Sequence, residues 1–158
     1  MVDKSVVNQI ESENDNLETL WVMGLPVHQS PTAHKSGYIS WLNQRMQHQQ
    51  GTHVVTMNAE MCMQAQTDRQ LGQFIKNADL VAPDGSGIEL YFRFLKRQSL
   101  RRYPGIELAA DLIASLGPES KVAFYGGKPE VGEAAGAAWR VRSPQLNLAI
   151  VQHGYAKD

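Results

Sequence analysis

Apolar positions in this chain come in two patterns: short unbroken runs, and stretches in which apolar residues recur every three or four positions. The first reads as buried strand, the second as one face of a helix. Leu20-Trp21-Val22-Met23 with Leu25 makes the first run, ended by Pro26, and predicts a strand. Ser30 before Pro31 is a cap-and-first-turn signal, and Ile39, Leu42 and Met46 carry helical spacing on toward Gly51. His53 to Met57 is β-branched and short, a second strand. Ala59 to Lys76 predicts helix with a break near Thr67, and Asp79 to Ala82 a third strand. Asp84 then stands where a cap belongs, before a helix with Ile88, Tyr91, Phe92 and Leu95 on one face. Gly105 to Leu116 keeps Leu108, Leu112 and Leu116 in register until Gly117-Pro118 stops it. Lys121 to Tyr125 is a strand, Pro129 opens a helix carrying Val131, Ala134, Ala135 and Ala138, and Leu148 to Val151 is the last strand.

Strands and helices therefore alternate, and the strands are too uniformly apolar to have a wet face. This predicts an α/β fold: a Rossmann-like, mostly parallel sheet flanked by helices on both faces. Ligands of such sheets bind beyond the carboxyl ends of the strands. Thr56 to Glu60, Pro83 to Gly87 and Gly126 to Pro129 fall there, and the geometry predicts one cleft for all three.

Composition narrows the class. The chain has 158 residues, 42% hydrophobic and 20% charged, a globular balance sufficient for one domain with a core. Residues 1–18 are polar and read as a flexible tail without the apolar segment of a signal peptide, so the domain is expected over residues 19–158. No run reaches the roughly 20 apolar residues needed to span a bilayer. The net charge of −1 gives no global field toward nucleic acid, and no nucleic-acid partner is expected, although a local basic patch remains compatible with it. Cys62 is the only cysteine, and His28, His34, His48, His53 and His153 lie on separate segments. Neither a disulfide nor a metal site is expected. The expected location is the cytoplasm.

Four segments could carry chemistry. Asp84, between Pro83 and Gly85-Ser86-Gly87, is either a general base at a strand end or only the cap of the next helix. Thr56 and Asn58 could hydrogen-bond sugar hydroxyls; equally, Asn58 could cap its own helix and Thr56 be a β-former. Gly126, Gly127 and Lys128 could cradle a phosphate at a helix N-terminus, or simply form a tight turn. Arg101 and Arg102, before Tyr103-Pro104-Gly105, could clamp a diphosphate, although adjacent arginines are more commonly a solvated surface.

Taken in order, these segments resemble one family. His53-Val54-Val55-Thr56-Met57-Asn58-Ala59-Glu60 is similar to its opening strand and turn, and Ala78-Asp79-Leu80-Val81-Ala82-Pro83-Asp84-Gly85-Ser86-Gly87 to its most distinctive motif. Arg102-Tyr103-Pro104-Gly105-Ile106-Glu107-Leu108, Val122 to Pro129, and His153-Gly154-Tyr155 follow in the family's order. The resemblance is to the WecG/TagA/CpsF glycosyltransferases, and it runs from Leu20 to Tyr155. It implies inverting transfer of an N-acetylmannosamine-type sugar from a UDP donor to a polyprenyl-diphosphate-linked N-acetylglucosamine at the inner membrane surface, in teichoic acid or cell-surface polysaccharide synthesis. By the same resemblance Asp84 would be the catalytic base, Thr56 and Asn58 would line the acceptor pocket and Arg102 would help bind the acceptor. No cofactor is implied, and catalysis is expected to be metal-independent.

Three departures qualify the match. Glu107 stands where the family usually has Asp, and Ala156 replaces an aromatic residue after His-Gly-Tyr. Family members also continue past the equivalent of Asp158 with further strands, a Gly-Ser-Pro-Lys-Gln-Glu-like segment and a basic appendage. The domain is accordingly expected to lack the family's C-terminal part and to expose a sheet edge at Val151, which would favour self-association as a homo-oligomer. The alternative function is an inactive fragment that only binds nucleotide sugar or a partner. A dinucleotide-dependent oxidoreductase ranks last, because no full glycine fingerprint follows the first strand.

Overall fold

The computed structural model describes residues 17–30 and 35–155. The tail expected over residues 1–18 lies outside them as far as residue 16, as does the helix start expected at Pro31. The architecture is mixed α/β, with small parallel sheets flanked by helices, compatible with the Rossmann-like class. It divides into two compact units, Met1–Ala109 and Ala110–Asp158.

The first unit opens with strands β1 (Glu18–Val22) and β2 (Leu25–Gln29), paired antiparallel with Val22 opposite Leu25. The single strand expected here is a hairpin. Met23 (φ 50°) and Gly24 (φ 79°) both adopt positive φ, the two-residue turn whose twist suits antiparallel strands. Pro26 does not end the strand; it sits opposite Trp21. In a two-residue hairpin the closing pair exchanges ladder hydrogen bonds and the next pair does not, so the missing N–H of Pro26 removes no bond to β1. Helix α1 (Lys35–Gln47) buries Tyr38 and Leu42, whereas Met46 is exposed.

Strands β3 (Val54–Met57) and β4 (Leu80–Pro83) form a parallel pair, Val54 against Leu80 and Met57 against Pro83. Their burial is close to complete: Met57, Leu80, Val81 and Ala82 expose essentially nothing. Between them lie helices α2 (Ala59–Gln64) and α3 (Arg69–Lys76). The break expected near Thr67 is real, and Asp68 makes it by accepting hydrogen bonds from the N–H groups of Gln70 and Leu71. Strand β2 runs alongside β4 without a ladder. The link is a side chain: the Val81 N–H donates to His28 Nδ1 at 2.7 Å. Val22, Leu25 and Val27 thereby join Val55, Met57, Ile75 and Val81 in one core.

Helix α4 (Ser86–Tyr91) continues into a π-helical turn, Phe92–Lys96. The wider turn rotates the face predicted from regular helical spacing. Ile88 and Phe92 are buried, but Leu95 is 72% exposed, contrary to its expected place in the core. Helix α5 (Gly105–Ser115) begins in the first unit and buries Leu108.

The second unit contains strand β5 (Lys121–Tyr125), helix α6 (Val131–Arg142) and strand β6 (Asn147–Gln152), with β5 and β6 parallel. Val131, Ala134, Ala135 and Ala138, expected to pack, are exposed. The packing seam of α6 is instead Gly132, Gly136 and Trp139. A Cβ on Gly132 would lie 2.8 Å from Val151 Cγ1, and one on Gly136 2.8 Å from Leu148 Cδ2. The helix approaches through its smallest residues, which carry no hydrophobic signal. Among the described residues β6 pairs only with β5, through Val151 opposite Phe124 among others, and its other edge has no partner strand.

Candidate functional site

The first unit brings two of the three predicted strand ends together. At the end of β3, Asn58 turns the chain into α2 with extended geometry and caps it, its Oδ1 accepting the Met61 N–H at 2.8 Å. At the end of β4 the parallel ladder extends one bond further, the Asp84 N–H donating to the Met57 carbonyl at 2.9 Å. Gly85 follows with φ 79° and ψ 160°, a region open almost only to glycine. Gly87 is required for another reason: a Cβ there would lie 2.6 Å from the Cβ of Ala59. The glycines of the Asp-Gly-Ser-Gly turn thus allow it to lie directly on the start of α2, with Asn58 beside Gly85.

Asp84 does not cap the helix that follows it. Gly85 is the cap residue of α4 and no side chain bonds there. The half-buried Asp84 carboxylate reaches across 21 positions instead, Oδ2 accepting the N–H of Gly105 at 3.2 Å, the first N–H of α5. It serves a helix N-terminus, but one that local spacing could not indicate. Oδ1 has no hydrogen-bond partner among the described residues. Thr56 meets the same glycine: a Cβ on Gly105 would lie 2.8 Å from Thr56 Oγ1 and 2.9 Å from its Cβ and Cγ2. Asp84 and Thr56 therefore share Gly105 as a neighbour, and Asn58 flanks the turn that carries Asp84.

The segment before α5 is tied down at the same place, the Tyr103 N–H donating to the Pro83 carbonyl at 2.7 Å. Arg101 and Arg102 line a cavity of about 400 Å³ together with Gln29, Ser30, Lys35, Ser36, Tyr38 and Tyr103. Two tyrosines form an aromatic wall, the rings of Tyr38 and Tyr103 lying 5.5 Å apart. Burial pushes the Tyr38 hydroxyl up to about 12, and it stays protonated to donate to the His28 carbonyl at 2.9 Å. Lys35 lies 5.1 Å from the centre of the Tyr103 ring and pairs with Glu107. Arg102 approaches Glu89 at 4.0 Å. Gln29 Oε1 is buried without a hydrogen-bond partner among the described residues.

Lys35, Tyr38 and Gln29 were not legible as site residues. Lys35 meets Glu107 across 72 positions, and nothing in local spacing announces such a contact. The one available signal was Tyr103, an aromatic held between two arginines and Pro-Gly.

Gly126, Gly127 and Lys128 lie in the second unit at the end of β5. Gly126 (φ 117°) and Gly127 (φ 70°) both need glycine's freedom. The Gly126 N–H donates to the Gln152 carbonyl and the Gly154 N–H to the Gly127 carbonyl, so the Gly-Gly turn is built on the His153-Gly154 turn after β6. Lys128 is exposed. Among the described residues no three His, Cys, Asp or Glu side chains cluster as metal ligands, and no helix is long and apolar enough to cross a membrane.

The model of the glycosyl transferase WecG/TagA/CpsF family matches residues 20–158. Among curated proteins, the N-acetylglucosaminyldiphosphoundecaprenol N-acetyl-beta-D-mannosaminyltransferase of Staphylococcus aureus strain MRSA252 is 36% identical over 104 residues, which is 65% of this chain and 40% of the relative. The protein of the same name from strain COL is 35% identical with the same coverage. The chain's match thus spans 40% of the length of these relatives.

Proposed function

The chain belongs to the WecG/TagA/CpsF family of glycosyl transferases, and from that premise we propose that it transfers an N-acetylmannosamine-type sugar from a UDP donor to a polyprenyl-diphosphate-linked N-acetylglucosamine. The observation that carries this reading is the position of Asp84. Its carboxylate stands at the end of β4, anchored through Oδ2 to Gly105, with Oδ1 left to accept a proton. In this mechanism an acceptor hydroxyl gives its proton to Asp84 Oδ1 as its oxygen attacks the anomeric carbon of the donor. The bond to the diphosphate breaks with inversion, and UDP leaves. Asn58 spends Oδ1 on its cap, so its Nδ2 is the group that donates to the acceptor, and the Thr56 hydroxyl assists. Arg102 binds the acceptor, and the Gly126-Gly127-Lys128 turn of the second unit is a candidate phosphate site in its own right. Cationic side chains and helix ends stabilise the leaving charge, which makes a metal unnecessary.

The test is direct. The purified chain is incubated with UDP-N-acetylmannosamine and a short-chain lipid-diphosphate N-acetylglucosamine, and disaccharide formation is followed by mass spectrometry. Product is expected. Donor binding without any product would reduce the chain to a nucleotide-sugar-binding fragment and overturn the catalytic reading.

A further inference from the structure

Gln29 is the last residue of β2, and its neighbours fix its backbone. His28 ties β2 to β4 through the Val81 N–H, and the Tyr38 hydroxyl donates to the His28 carbonyl. The Gln29 side chain lies on the wall of the 400 Å³ cavity, with Oε1 buried and without a hydrogen-bond partner. It is the one buried side-chain atom in that condition among the described residues. A buried acceptor without a donor lowers stability, and folded chains keep few of them. A ligand that brings the missing donor accounts for this one. The cavity wall also carries Lys35, Arg101 and Arg102. Lys35 is paired with Glu107 and Arg102 lies 4.0 Å from Glu89, whereas Arg101 forms no ion pair among the described residues. The Tyr38 and Tyr103 rings, 5.5 Å apart, add apolar surface. Cations, an apolar wall and a lone buried acceptor are the complements of a diphosphate, an acetyl methyl and an amide N–H, which can only donate. The cavity also adjoins Asp84, because the Tyr103 N–H is bonded to the carbonyl of Pro83, the residue before it.

We propose, resting on the transfer reading above, that Gln29 is a specificity residue for the acceptor: its Oε1 takes the acetamido N–H of the lipid-diphosphate N-acetylglucosamine. The contact touches no reacting atom. Its effect is selection, since a site built around a polar group of the substrate rejects an analogue that lacks it and leaves the protein's own group unpaired.

Titration calorimetry tests it without need of turnover. The ligands are a short-chain lipid-diphosphate N-acetylglucosamine and its 2-deoxyglucose counterpart, which has no donor at that carbon. The parent is expected to bind the first at least about tenfold more tightly, and Gln29→Leu to cut that preference about tenfold. Gln29→Met repeats the test with an unbranched side chain. Both variants should melt no lower than the parent, because the unpaired oxygen has no bond to lose. UDP-N-acetylmannosamine shares the diphosphate and the acetamido group, and its affinity should be the same in parent and variants. An equal preference in parent and variants, or no binding of the acceptor by the parent, would overturn the proposal. So would a loss confined to UDP-N-acetylmannosamine, which would make the donor the occupant. Transfer by Asp84→Asn at the parent's rate would sink the proposed base and leave the preference measurement standing, so the two failures are distinct.

Discussion

Asp84, Gly105 and Thr56 form a set in which each residue restricts the others. Gly105 supplies the N–H that holds the carboxylate, and the absence of its Cβ leaves room for Thr56. Gly105→Ala should therefore cost about 1–3 kcal/mol, by overpacking against a β-branched side chain beside fixed backbone. Chemical denaturation checks this, and an unchanged midpoint would contradict it. His28 provides a second prediction. Its Nδ1 accepts the Val81 N–H only when the ring is neutral, and burial lowers its affinity for a proton below the usual 6.5. The unfolded chain takes up this proton near pH 6.5 while the folded chain resists it. Stability from this site is complete above about pH 6.5 and is lost as pH falls toward the folded value. Thermal melts from neutral pH down to pH about 5 should show a decline that His28→Gln, whose amide oxygen can take the same N–H, flattens.

Among the elements, legibility in the sequence depended on whether the decisive contact was local. The break between α2 and α3, the parallel pair β3–β4 and the strand β5 were readable, because Asp68, the β-branched runs and the flanking glycines act within a few residues. The hairpin was missed because Pro26 resembles a strand end, and only the pairing with Trp21 shows why proline is tolerated there. Leu95 was placed in the core because a π-turn leaves no mark on hydrophobic spacing. On α6 the alanines misled and the glycines decided. That helix yields its own prediction: Gly136→Leu should destabilise by about 1–3 kcal/mol or more, since its first atom already falls 2.8 Å from Leu148 Cδ2. Ala135→Leu, on the exposed side, should be near neutral. Equal effects in paired melts would contradict the seam. The candidate site was legible to the same extent. Asp84, Thr56 and Asn58 announce themselves through strand-end position, whereas Lys35, Tyr38 and Gln29 reach their cavity by long-range packing.

The two units differ in how deeply their strands are buried. In the parallel pair of the first unit, β3 and β4, every residue is buried or half-buried, whereas β1 is largely exposed; in β5 and β6 no residue is fully buried. Hydrogen exchange should follow this, with amides of β3 and β4 exchanging only on global unfolding and those of β5 and β6 by cheaper local openings. Equal protection would contradict the difference. Transfer itself should persist in a chelator such as EDTA, since positive side chains and helix ends are assigned the charge that a metal would otherwise carry. Loss of turnover in EDTA with recovery on adding a divalent ion would overturn that assignment.

The most direct measurement is the rate of sugar transfer by Asp84→Asn beside the parent chain, with circular dichroism to confirm equal folding. Asparagine keeps an oxygen for the Gly105 N–H but cannot take a proton from the acceptor hydroxyl. The predicted result is a fall in turnover of about a hundredfold to ten-thousandfold with an unchanged melt. Turnover within a few-fold of the parent would remove Asp84 as the base and contradict the mechanism built on it.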